Sequence, residues 1–93
     1  MGQAEPIREY VFTPHASFEM THRGLGESVV RKVLERPEQR LPVRLGRDVL
    51  QSKIELEGRI YLVRVIVDVD RTPAEVVTVY RTRKIEKYWR NEP

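Results

Sequence analysis

RIYLVRVIVDV, residues 59–69, is the most apolar stretch of the chain and is dense in β-branched side chains. A short run of this kind, bounded by turn residues, reads as a central β-strand covered on both faces. On its N-terminal side, Leu50, Ser52, Ile54 and Leu56 alternate with Gln51, Lys53, Glu55 and Glu57 before Gly58 supplies a turn, the pattern of one arm of a hairpin. On its C-terminal side, DRTPA (70–74) reads as a turn and EVVTVYR (75–81) as a third strand. Residues from about Asp48 to Arg81 are therefore expected to form a three-stranded antiparallel meander.

Further toward the N-terminus, Ile7 to Phe12 alternates in the manner of a strand. Thr13 and Pro14 then signal a helix start: threonine accepts a hydrogen bond at the N-cap, and proline loses nothing at the first helical position. That helix should run to about Arg23 and stop at Gly24, with Ala16 and Met20 on its buried edge. Glu27 to Arg36 predicts a second helix with the apolar stripe Val29, Val30, Val33 and Leu34, closed by Pro37. From Glu38 to Arg47, Pro42 and Gly46 interrupt a polar segment, read as a loop with an edge strand at Leu41 to Leu45. Ile85, Tyr88 and Trp89 have helical spacing, so Thr82 to Arg90 is expected to close the chain as a short helix.

The order strand, helix, helix, strand, strand, strand, helix defines an α+β fold in which a helical hairpin packs on one face of a mostly antiparallel sheet. Ninety-three residues leave no room for a second core, so a single domain over 1–93 is expected, with its core in 7–81 and a basic helix or tail in 82–93. The chain has no cysteine and its first residues lack the apolar run of a signal peptide. A reducing compartment, the cytoplasm, is the expected location, without a membrane anchor. The net charge of +3 arises entirely after residue 70, where six basic side chains face three acidic ones. That basic end suits a phosphate-bearing partner; a solvated terminal helix would give the same count.

Alternation sorts the meander into two faces. Leu50, Ser52, Ile54, Leu56, Tyr61, Val63, Val65, Val67, Val77 and Val79 share the face expected under the helices. The opposite, at least partly open face carries Gln51, Lys53, Glu55, Leu62, Arg64, Ile66, Val76, Thr78 and Tyr80. Lys53 and Arg64 read either as an anion clamp or as partners of Glu55 or another carboxylate, because a charge within a central strand is costly unless paired or wet. On the first helix, His15, Glu19 and Arg23 are spaced four apart and form one polar stripe. His15 could act there as a general base or simply help to cap the helix. His15 and His22 lie two helical turns, about 10 Å, apart and cannot share an ion, so neither a metal nor any other cofactor is expected.

Phe12-Thr13-Pro14-His15-Ala16 through Met20 to Arg23-Gly24, then Glu35-Arg36-Pro37, a lysine-bearing strand and Val77-Thr78-Val79-Tyr80 resemble the bacterial family called domain of unknown function 4258. That family is grouped with the Barnase-EndoU-Colicin-RelE superfamily of toxin-like, metal-independent ribonucleases, and the element order is similar to that of RelE and ParE toxins. The resemblance implies that His15, Lys53, Arg64, Thr78 and Tyr80 line an RNA-cleaving site. His15 would move the proton of a 2′-hydroxyl, Lys53 and Arg64 would stabilise the phosphorane, and Thr78 or Tyr80 would position the phosphate. Arg23, Arg81, Arg83 and Lys84 are the expected contacts to the RNA strand. The family often has an arginine just before the helix methionine, where this chain has Glu19, which removes one phosphate ligand. The alternative expectation, from a different class, is a non-catalytic interaction module that binds nucleic acid or a protein such as a cognate antitoxin.

Overall fold

The computed structural model describes residues 4–91. In chain order the elements are β1 (Tyr10–Phe12), α1 (Pro14–His22), α2 (Glu27–Glu35), β2 (Gln39–Arg44), β3 (Arg47–Leu56), β4 (Arg59–Asp68), β5 (Ala74–Thr82) and α3 (Ile85–Tyr88). The strands form one mixed five-stranded sheet in the order β1-β5-β4-β3-β2. The meander is present as expected: β3 pairs antiparallel with β4 from Arg47↔Asp68 to Leu56↔Arg59, and β4 with β5 from Leu62↔Thr82 to Asp68↔Glu75. Glu57 and Gly58 both take positive φ, 56° and 79°, at the β3–β4 turn, the backbone twist that suits a two-residue hairpin.

The edges of the sheet depart from the sequence reading. The first strand begins at Tyr10 rather than Ile7 and pairs parallel with β5, Tyr10↔Ala74 through Phe12↔Val76. Ile7 instead joins the core, and its N–H donates to the Leu34 carbonyl at 3.0 Å. The segment read mainly as a loop is a six-residue strand, β2, antiparallel to β3. Pro42 is tolerated within it because β2 is an edge strand whose outer side needs no ladder donor.

α1 begins as its sequence dictates. Thr13 is the N-cap, its hydroxyl accepting from the Ala16 N–H at 3.1 Å and donating to the Val76 carbonyl at 2.9 Å. Pro14 occupies the first turn, and Gly24 follows the helix with φ 66°. α2 buries Val30, Val33 and Leu34. These side chains meet Ala16 and Met20 of α1 and Leu50, Val63, Val65, Val67, Val76 and Val79 of the sheet in one core cluster. Each fully buried Val or Leu contributes roughly 1.5–3 kcal/mol of transfer free energy, so this layer is the main source of stability. The Cα radius of gyration is 12.4 Å, close to the roughly 12 Å of a compact domain this size.

A bulge in β5 revises the two faces. Ile66 pairs with Thr78 but Val67 pairs with Val76, leaving Val77 as an extra residue. Val76 is consequently fully buried in the helix-side core, whereas uniform alternation assigned that place to Val77. From Thr78 onward the expected alternation returns, so Val79 faces the helices and Tyr80 the other side.

The far face is covered as well. α3 spans only Ile85–Tyr88, and Trp89 is extended, at φ −75° and ψ 128°, so the closing helix is shorter than the expected Thr82 to Arg90. The chain from residue 85 to 91 lies along the sheet face opposite α1 and α2. Among the described residues, no helix is long and apolar enough to cross a membrane.

Candidate functional site

Three side chains in one cross-strand row define the far face: Gln51 on β3, Arg64 on β4 and Tyr80 on β5. Arg64 Nε donates to Gln51 Oε1 at 2.8 Å, and its Nη1 donates to the Tyr80 hydroxyl at 2.5 Å. The guanidinium carbon lies 4.2 Å from the centroid of the Tyr88 ring, which comes from the C-terminal segment. Tyr80 and Tyr88 meet edge to face with centroids 6.3 Å apart. Val49 and Leu62, both buried on this face, supply its apolar floor.

Gln51 is fully buried and links the row to its surroundings. Its Nε2 donates to Gln39 Oε1 at 2.8 Å and to the Tyr88 carbonyl at 3.2 Å. Gln39 in turn grips one residue of the terminal segment, donating to the Arg90 carbonyl at 2.5 Å and accepting from the Arg90 N–H at 3.1 Å. Beside this network Lys53 Nζ stands 4.1 Å from the Trp89 ring centroid. A cleft of about 410 Å³ opens there between Lys53, Ile85, Glu86, Trp89 and Asn91.

Arg23, Arg31, Arg40, Arg47 and Arg71 all pair with carboxylates. Arg64 and Lys53 have no carboxylate partner among the described residues, neither Glu55 nor any other. Arg64 Nη2 has no protein acceptor there either, and no buried side-chain nitrogen or oxygen lacks a partner, so Nη2 reaches the surface. A guanidinium held at Nε and Nη1 by neutral acceptors and stacked on a ring keeps Nη2 as a donor without an acceptor among the described residues, a donor suited to a single oxyanion oxygen. Stacking and hydrogen bonds to neutral groups hold it in place while leaving its charge uncompensated.

The expected site residues divide between two layers. Lys53, Arg64 and Tyr80 come together on the far face, and Thr78 stands on the same strand opposite Ile66. His15 does not join them. It belongs to α1 in the helical layer, where its Nε2 lies 3.3 Å from Glu19 Oε2 and its side chain is 66% exposed. Glu19 is buried; its Oε2 also meets Arg23 Nη2 at 3.4 Å, and its Oε1 accepts from the Val79 N–H at 3.0 Å. The polar stripe of α1 is thus a self-contained network tied to the sheet backbone, and His15 shares no hydrogen bond with Lys53, Arg64, Thr78 or Tyr80.

The four residues expected to hold an RNA strand are also dispersed. Arg23 caps the C-terminus of α1. Arg81 lies over the Tyr61 ring at 4.6 Å. Arg83 and Lys84 are exposed where β5 leads into α3 and line a cleft with Ile85, Glu86 and Lys87. No group of His, Asp or Glu side chains suited to a metal ion occurs among the described residues.

Gln39, Tyr88 and Trp89 belong to this face, which no local pattern of residues reveals. Helical spacing placed the two aromatics on a closing helix; Tyr88 ends α3 and Trp89 follows it in extended backbone, and both rings lie over strand cations. Gln51 stood in the right row, but its role as the hub was not legible from alternation alone.

No family model, curated protein or solved structure matches the chain.

Proposed function

We propose that this domain is a non-catalytic nucleic-acid-binding module whose ligand is single-stranded RNA, held on the Arg64 face. One observation carries the reading: Arg64 is fixed by Gln51 and Tyr80 with no carboxylate partner among the described residues, beside an equally unpartnered Lys53. Phosphodiester oxygens are the natural complement of such cations, and the neighbouring Tyr80 is of the ring type on which a splayed base stacks. The basic excess after residue 70 adds attraction for the same ligand.

The ribonuclease expectation required His15 beside these cations. The separate His15–Glu19 network favours binding without cleavage. Within this reading the fold is RelE-like, as the resemblance in residues 12–24, 35–37 and 77–80 implies, and the protein works in the cytoplasm, where single-stranded RNA is abundant.

The test is fluorescence anisotropy of a labelled single-stranded RNA across a salt series. The unaltered chain should bind, and Arg64→Gln and Lys53→Gln should each weaken binding and flatten the salt dependence by about 0.7 in log–log slope, the value per phosphate contact on a single strand. Absence of binding at about 50 mM salt, or affinity indifferent to both substitutions, would sink the proposal.

A further inference from the structure

The segment 85–91 makes, within the chain, the contacts that an RNA strand would make from outside. Tyr88 lies over the Arg64 guanidinium and Trp89 over the Lys53 ammonium, as an unstacked base would. The Gln39 carboxamide engages the N–H and C=O of Arg90 together and so clamps the backbone of the segment. Gln51 donates to the Tyr88 carbonyl from the same side.

The segment has little else to hold it. α3 is four residues long and has no side-chain N-cap, and a helix this short does not persist without tertiary contacts. None of its residues is buried. The preceding Arg83 and Lys84 are exposed and lie outside both β5 and α3, so they join the segment to the sheet without belonging to either element. Its anchors are a few hydrogen bonds and two ring–cation contacts, each individually weak.

We infer that residues 85–91 form an autoinhibitory strap, an internal occupant of the Arg64 face that must lift before a nucleic-acid strand can bind. This inference rests on the nucleic-acid reading above. While the strap is down, the rings of Tyr88 and Trp89 cover the two cations. The apparent affinity for RNA is then reduced by the fraction of molecules in which the strap is closed. Loosening the strap without touching Arg64 or Lys53 therefore tightens binding.

Trp89 is the only tryptophan of the chain and reports directly on the strap. The experiment uses the full chain, with Gln39→Ala to remove the Arg90 clamp and, separately, Trp89→Ala to remove the Lys53 contact from the strap side. Both variants should bind a labelled single-stranded RNA about 3- to 10-fold more tightly than the parent, by the closed fraction they release. In the parent, saturating RNA should shift the Trp89 emission maximum to the red and increase its quenching by acrylamide as the ring leaves the sheet. If either variant binds no better than the parent, or if Trp89 emission keeps its position in the complex, the strap is excluded. Binding that remains sensitive to Arg64→Gln in that case leaves the nucleic-acid reading standing. If neither the parent nor the variants bind RNA, both fall together.

Discussion

Glu19 Oε1 accepts a hydrogen bond from the backbone N–H of Val79 at 3.0 Å, joining the middle of α1 to a strand sixty residues later. The partner strand explains the need. β1 pairs with β5 only as far as Val76, so the Val79 N–H would otherwise be a buried donor with no acceptor. Removing a carboxylate from such a donor costs about 1–3 kcal/mol. Glu19→Ala should lower the unfolding free energy by that amount in urea denaturation. Glu19→Gln, which keeps an acceptor oxygen, should lose less than half as much. RNA affinity should be unchanged in Glu19→Gln, because Glu19 has no link to the Arg64 row. The geometry also gives a physical reason for glutamate at this position: an arginine there would have no acceptor to offer Val79.

A second carboxylate governs the acid side of stability. Arg47 Nε donates to Asp68 Oδ1 at 2.5 Å, and this bond, reinforced by the charge of Arg47 and Arg71, holds the Asp68 carboxyl below the usual aspartate range. A carboxyl whose folded pKa is depressed stabilises the fold above its unfolded value of about 3.9, and that contribution is lost as pH falls through the folded value. Urea midpoints should therefore be flat near neutral pH and decline below about pH 4. Asp68→Asn should lower the midpoint at pH 7 and make the acid decline shallower. Carboxyl-carbon NMR titration of Asp68 in Arg47→Gln should show its pKa moving back up.

His15 is expected to be dispensable for the RNA chemistry of this domain. Its Nε2 faces Glu19 in the helical layer, apart from the Arg64 row where a phosphate would be held. A labelled RNA incubated with the purified chain should remain intact on a denaturing gel, with or without chelator. His15→Ala should bind RNA with the parent's affinity. Cleavage that disappears in His15→Ala would reverse the assignment and restore the ribonuclease reading.

The meander, the two helices and their caps were legible in the sequence because local chemistry sets them. Alternation around residues 59–69, Thr13-Pro14 at a helix start and Gly58 at a turn each act over a few residues. The parts that were not legible depend on distant chain. The pairing of β1 with β5 requires two segments sixty-four residues apart in register, Tyr10 with Ala74. The bulge at Val77 moves Val76 into the core through a count of residues that no single-strand pattern carries. Alternation put Lys53, Arg64 and Tyr80 on one face correctly, yet it could not show that Tyr88 and Trp89 fold back over them. Their helical spacing was compatible with a free terminal helix, and it is the carboxamides of Gln39 and Gln51, with the ring contacts to Arg64, Lys53 and Tyr80, that fix the segment against the sheet.

Gln51 provides the strongest separation between the fold and the site. Its carboxamide both accepts from Arg64 Nε and donates to Gln39 and to the Tyr88 carbonyl, so its two ends do different work. Gln51→Leu removes both ends and leaves polar partners buried, which should cost about 1–3 kcal/mol in urea denaturation. Gln51→Glu retains the acceptor beside Arg64 but makes it a carboxylate, turning the uncompensated guanidinium into an ordinary ion pair. If Arg64 acts through its free charge, Gln51→Glu should weaken RNA binding as much as Arg64→Gln does, and adding Arg64→Gln to it should produce little further loss. Full additivity of the two substitutions would mean that Arg64 does not contact the phosphate and that the two residues act on binding independently.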